Sequence, residues 1–237
     1  MSYIKPKHVV SLIMLCSMIF LISHVNGNEW LANASRAFIV PLFAVLYFIN
    51  SREISTYFSL FLICYSISDL ISIVGFKLNL EWEYYIGNAL YIVAYFALAY
   101  EILRSINMAH ILKHFKIHVF VLIILNIYVN FVLVKFQPNY FSGTDFTLEL
   151  FYNIATLILV SVSLLNYFYR DDNKALMLFL GSLSIAVSEV IQIAYYYVID
   201  KSDSNLLNVS YSLFLILGFY FYYSQSKLEY EEVLVIA

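Results

Sequence analysis

The chain alternates long apolar stretches with short polar breaks. Eight stretches can be read: His8–Val25, Leu31–Asn50, Ile54–Phe76, Trp82–Leu103, Ile117–Val134, Leu148–Tyr169, Ala175–Ile199 and Leu206–Tyr223. Each runs about 18–25 residues, enough for a helix to cross roughly 30 Å of hydrocarbon. In lipid a segment must satisfy its own backbone hydrogen bonds, so each stretch predicts a transmembrane helix. The second is the least regular, because Asn33, Ser35 and Arg36 interrupt its start. The first has Lys5 and Lys7 ahead of its apolar run, as a secretory leader does. It is read as a span, because its run is long for a leader and no Ala-x-Ala site follows at Asn26–Asn28. The expectation is an all-α membrane bundle of eight helices, forming one integral membrane domain over 1–237.

Composition narrows the class further. Apolar and aromatic residues make up 62% of the chain, charged residues 12%, and mean hydropathy is +0.81. A soluble domain is nearer 45–50% apolar and about 25% charged, so a soluble enzyme and a disordered chain are both excluded. A membrane β-barrel needs short alternating strands rather than unbroken apolar runs. The net charge of −3 provides no basic domain to grip nucleic acid. Cys16 and Cys64 lie inside apolar runs and are read as small packing residues. Nine of the 13 basic residues fall on one side of the eight spans: Lys5, Lys7, Arg52, Arg104, Lys113, Lys116, Arg170, Lys174 and Lys227. The other side holds Arg36, Lys77, Lys135 and Lys201. By the positive-inside rule both termini of this cell-membrane protein are expected in the cytoplasm. Trp30, Trp82, Tyr84, Tyr85, Tyr195–Tyr197, Tyr222 and Tyr223 suit interfacial aromatic belts.

A weak self-similarity recurs at an offset of 120 residues. Ser68-Asp69-Leu70-Ile71-Ser72-Ile73 matches Ser188-Glu189-Val190-Ile191-Gln192-Ile193. Asn88 and Tyr91 match Asn208 and Tyr211, and Tyr47-Phe48 matches Tyr167-Phe168. These residues fall on spans 2, 3 and 4 against 6, 7 and 8. Half-repeats at 8–103 and 117–223 would each hold four spans and lie parallel, related by an axis along the membrane normal.

Asp69 and Glu189 stand out because each lies well inside an apolar span. A charged carboxyl in the bilayer costs several kcal/mol if unpaired. It must face the bundle interior, keep its proton or find donors. On span 3, Tyr65, Ser66, Asp69 and Ser72 fall on one side by helical spacing; on span 7, Ser182, Glu189, Gln192 and Tyr196 do so. Two such carboxyls can work as a general acid–base pair, or they can simply hold helices together by hydrogen bonds. Asn88, Tyr91 and Tyr95 step down span 4, and Asn208, Tyr211, Leu215, Gly218, Tyr222 and Gln225 step down span 8. Together with Ser66 and Gln192, the polar members Asn88, Tyr91, Tyr95, Asn208, Tyr211 and Gln225 are candidates for binding a substrate. Asn126 and Asn130 read as helix–helix contacts, and Glu101 with Arg104 as an ion pair at a helix end. His110, His114 and His118 recur at i, i+4 and i+8, but no carboxylate or Cys completes a metal set. They read instead as part of a basic segment touching anionic lipid heads. No P-loop, dinucleotide turn or G-x-S-x-G motif is present, and no metal or other cofactor is expected.

These residues resemble the YhhN/lysoplasmalogenase family of eight-span membrane proteins, over about 36–225. Ser68-Asp69 is similar to the family's small residue plus Asp in span 3. Gly87, Tyr91 and Tyr95 resemble its glycine-led aromatic pattern in span 4. Gly181 with Ser188-Glu189 resembles its Gly ahead of Ser-Asp in span 7, and Tyr222, Tyr223 and Gln225 its span 8 ending. The family's Lys-Pro at span 2 is Arg36-Ala37 here, its span 4 His corresponds to Tyr95, and its second Asp is Glu189. The resemblance implies hydrolysis of the vinyl-ether bond of lysoplasmalogens, with Asp69 and Glu189 as the catalytic pair. The partners implied are membrane lipids and a lipid or small-molecule substrate. Two other readings remain open: a transport or lipid-binding protein that uses the carboxyls for proton coupling, and a sensory or scaffold protein in which they only pack.

Overall fold

The computed structural model describes residues 5–51, 53–78, 81–136, 143–197 and 204–228, with backbone only at 76–78, 81, 196–197 and 204–205. Among these residues there are ten helices and no strand. They are α1 (Pro6–Val25), α2 (Glu29–Ala37), α3 (Ile39–Asn50), α4 (Thr56–Leu78), α5 (Glu81–Ser105), α6 (Met108–His114), α7 (Lys116–Lys135), α8 (Gly143–Arg170), α9 (Asn173–Tyr197) and α10 (Ser204–Gln225). Eight helical spans are long and apolar enough to cross a membrane, with α2 and α3 counted together. The molecule is a polytopic helical membrane bundle, as the apolar pattern requires.

The break inside the second span lies at Phe38. Pro41 sits four residues after Ala37. It has no N–H to give the Ala37 carbonyl, and its ring crowds that carbonyl, so the helix kinks there. Other ends are set by local chemistry. Gly27, at φ +72°, closes α1 with its N–H on the His24 carbonyl (3.0 Å), while the Asn28 N–H reaches Ser23 (2.8 Å). This left-handed closure favours glycine. The side chains of Asn28, Asn107 and Asp172 cap α2, α6 and α9, and Asp172 Oδ1 accepts from the Ala175 N–H at 2.6 Å.

Six helices form a closed ring. α3 packs on α4, α4 on α5, α5 on α8, α8 on α9 and α9 on α10, and α10 returns to α3. The trio α3–α4–α5 thus faces the trio α8–α9–α10. α1 and α2 pack on α3, α2 also on α4, and α7 lies outside the ring on α8. Asn126 Nδ2 on α7 donates to Ser161 Oγ on α8 at 2.8 Å, so Asn126 does join two helices. Most of α7 is exposed, including Ile117, Phe120 and Ile127.

At the end where α4 and α9 begin, here the basic end, polar links tie the ring. Asn50 donates to the Tyr223 hydroxyl (2.6 Å), Ser51 to Ser226 (2.9 Å) and Arg170 to the Ser105 carbonyl (2.6 Å). Arg104 does not pair with Glu101. It lies over the rings of Tyr57 and Tyr100, at 5.4 and 5.9 Å. The histidine series is broken by the helix end at Phe115: His110 stacks on His114, while His118 turns to Phe168. Tyr222, read from sequence as an interfacial belt residue, is fully buried in the ring.

Candidate functional site

In the half of the ring away from the basic end, α2, α4, α5, α8, α9 and α10 enclose a cavity of about 470 Å³. Asp69 and Glu189 both border it. On α4, Tyr65, Asp69 and Ser72 follow each other at i, i+4 and i+7, which aims them at one side of the helix. On α5 the stripe is Tyr84, Asn88 and Tyr91; Tyr95 continues it one turn further and touches Glu189. α8 contributes Glu149 and Tyr152, and α9 adds Ser188, Glu189 and Gln192.

Each acid stands beside a serine that fixes its helix. Ser68 Oγ donates to the Gly87 carbonyl at 2.9 Å, tying α4 to α5, and Ser188 Oγ donates to the Tyr211 carbonyl at 2.8 Å, tying α9 to α10. In both places the serine makes the helix contact and the next residue faces the cavity. Asn88, by contrast, turns back to the Tyr84 carbonyl of its own helix.

Tyrosine hydroxyls partner the carboxylates. Tyr91 donates to Asp69 Oδ1 at 2.6 Å, and Tyr95 to Glu189 Oε1 at 3.1 Å. Tyr84 donates to Glu149 (2.7 Å), and Tyr85 to Asp145 (2.7 Å). All four donors stand on α5. Tyr95 also meets the Tyr152 hydroxyl at 3.5 Å. Such hydroxyls stabilise the charged form of a carboxylate. Asp69 is 4% exposed, yet its Oδ2 has no hydrogen-bond partner. A buried oxygen left without a donor is a place where a carboxyl can hold its own proton. Arg36, at the end of α2, also borders the cavity, and its guanidinium lies 5.1 Å from the Tyr211 ring.

Of the ten residues singled out from sequence, Asp69, Glu189, Asn88, Tyr91, Gln192 and Tyr211 line this cavity, and Tyr95 touches it through Glu189. Three lie elsewhere. Ser66 is buried one position off the Tyr65–Asp69–Ser72 stripe, outside the lining. Asn208 donates to His24 Nδ1 at 3.0 Å, joining α10 to α1. Gln225 borders a second cavity at the basic end. Ser182 contacts Tyr222 (3.0 Å) instead of the acids, and the side chain of Tyr196 lies outside the described residues. Sequence reasoning missed Arg36, Glu83, Glu149 and Tyr152. The i, i+3 spacing of Glu149 and Tyr152 was the available signal for two of them.

Among the described residues no three His, Cys, Asp or Glu side chains are placed to hold a metal ion. Comparisons with protein families, with curated proteins and with solved structures give no match to this chain.

Proposed function

We propose that the chain is an intramembrane hydrolase that cleaves the vinyl-ether bond of lysoplasmalogen-type lipids. The observation that supports this reading is the joint placement of Asp69 and Glu189 on one cavity, each hydrogen-bonded by a tyrosine of α5. One carboxylic acid protonates the β-carbon of the vinyl ether, leaving an oxocarbenium-like cation at the carbon bonded to oxygen. The other carboxylate stabilises that cation and takes a proton from the attacking water. The hemiacetal then breaks its carbon–oxygen bond, releasing a fatty aldehyde and an alcohol that keeps the headgroup. Two carboxyls divide acid and stabiliser roles in the same way in glycoside hydrolysis.

The test is aldehyde release from a lysoplasmenyl lipid by the purified chain in nanodiscs. Asp69→Asn and Glu189→Gln are each expected to lower the rate by about 100-fold or more, the usual weight of general acid–base catalysis. Full activity in both folded variants rules the reading out.

A further inference from the structure

The ring encloses a second cavity, of about 520 Å³, at the basic end. It is built on the same four helices that form the core of the first. α4 gives Phe58, α5 Leu98 and Glu101, α9 Lys174 and Leu178, and α10 Gln225. Glu53 joins from the α3–α4 connection, which is held in place by the Ser55 N–H on the Tyr47 hydroxyl at 2.8 Å.

Between the two cavities lies a plug of aromatic rings. Phe61 stacks on Phe219 with centroids 5.8 Å apart and planes 10° from parallel, and it meets Tyr222 edge-on at 5.2 Å. Phe58, in the wall of the basic-end cavity, touches Phe61 (5.7 Å); Tyr65, in the wall of the other, touches Phe61 (5.9 Å) and Phe219 (4.8 Å). Phe58 and Tyr65 are seven residues apart, so the plug is about 10 Å thick at 1.5 Å per residue. All five rings are at most 3% exposed.

Among the described residues, both cavities are lined by more carboxylates than basic side chains. Asp69, Glu83, Glu149 and Glu189 face Arg36 in one, and Glu53 and Glu101 face Lys174 in the other. Each is also lined by an acid with one buried oxygen that has no hydrogen-bond partner among the described residues: Asp69 Oδ2 in the first, Glu101 Oε2 in the second. Gln225, 7% exposed, makes no side-chain hydrogen bond among the described residues. A lining richer in acids than in bases, in a low-dielectric setting, concentrates positive charge, and aromatic faces bind cations without a counter-charge. A cation leaving one acidic cavity would therefore meet ring faces until it reached the next.

We infer that the two cavities are the ends of one axial path, and that the protein passes small organic cations across the membrane when the Phe61–Phe219–Tyr222 plug opens. This inference does not rest on the hydrolase reading. Its test is entry of radiolabelled tetramethylammonium, which bilayers exclude, into liposomes holding the full chain. Wild-type vesicles are expected to fill faster than protein-free ones. Phe61→Ala is expected to speed entry several-fold, and Phe61→Leu replaces it if the alanine variant does not fold. Glu53→Gln with Glu101→Gln is expected to slow entry several-fold while leaving aldehyde release unchanged, which separates this idea from the hydrolase. Entry equal to protein-free vesicles in both wild type and the folded Phe61 variant overturns the path. So does entry that ignores the basic-end double variant.

Discussion

The two hairpins α4–α5 and α9–α10 are built to the same plan and do different work. Both place Ser-acid dipeptides on the first helix, and in both the serine clamps the second helix by its carbonyl. They then diverge. α5 supplies the tyrosines that reach both acids, Tyr91 within its own hairpin and Tyr95 across the ring. Among the described residues α10 gives the acids no such hydrogen bond: Tyr211 lies against Arg36, and Asn208 turns to His24. The packing diverges as well. Gly181 and Gly218 bring α9 and α10 so close that a Cβ at Gly181 would sit 2.6 Å from the Tyr222 ring, and one at Gly218 would sit 2.8 Å from Ile185. At the corresponding offset of 120 residues, α4 and α5 carry the bulky, buried Phe61 and Leu98. Both hairpins carry an acid of the cavity, but α4–α5 supplies the tyrosine donors and α9–α10 the closer helix crossing.

The largest expected effect comes from attacking the crossing. Gly181→Leu forces a side chain into the Tyr222 ring, whereas Gly87→Ala on α5 meets only Ser68 Oγ at 3.3 Å. Gly181→Leu is expected to cost about 3 kcal/mol or more, the upper range for overpacking. Gly87→Ala is expected to cost well under half of that. Thermal unfolding in detergent compares them, and equal losses would show that the two hairpins are packed alike. Next are the donors on α5. Tyr91→Phe removes a 2.6 Å bond and Tyr95→Phe a 3.1 Å bond, each about 1.5–3 kcal/mol when the acceptor is charged. Aldehyde release is expected to fall about tenfold or more in each, in keeping with those energies, and further for Tyr91→Phe. Unchanged rates would confine α5 to packing. The smallest effect belongs to the shared clamps. Ser68→Ala and Ser188→Ala are expected to lose about 1 kcal/mol each and to match one another. A large mismatch in unfolding midpoints would mean that the common plan is superficial.

What the sequence revealed follows from how conspicuous each signal is. Eight spans were legible because apolar runs of that length have few other uses. Asp69 and Glu189 were legible because acids deep in such runs are costly. Arg36, Glu83 and Glu149 were not, because charges near the ends of spans are cheap and common there. Gln225 was assigned to the wrong cavity for a geometric reason. Helical spacing gives the side of a helix but not the depth, and about 20 Å of α10 separate Tyr211 from Gln225. Tyr222 was misread in the same way, its position near a span end hiding its place in the plug. The break at Phe38 reflects Pro41, which the apolar pattern overlooks.

The exposed helix α7 buries little and touches the ring mainly through α8, yet the architecture depends on its crossing. Each trio passes the bilayer three times, so a chain going straight from α5 to α8 would thread the second trio upside down. α7 carries the polypeptide back to the starting leaflet, and both trios then run in the same sense. Its contribution is to direction of travel more than to adhesion. Its outward side chains are accordingly free to vary, so long as they remain greasy enough to make the return trip.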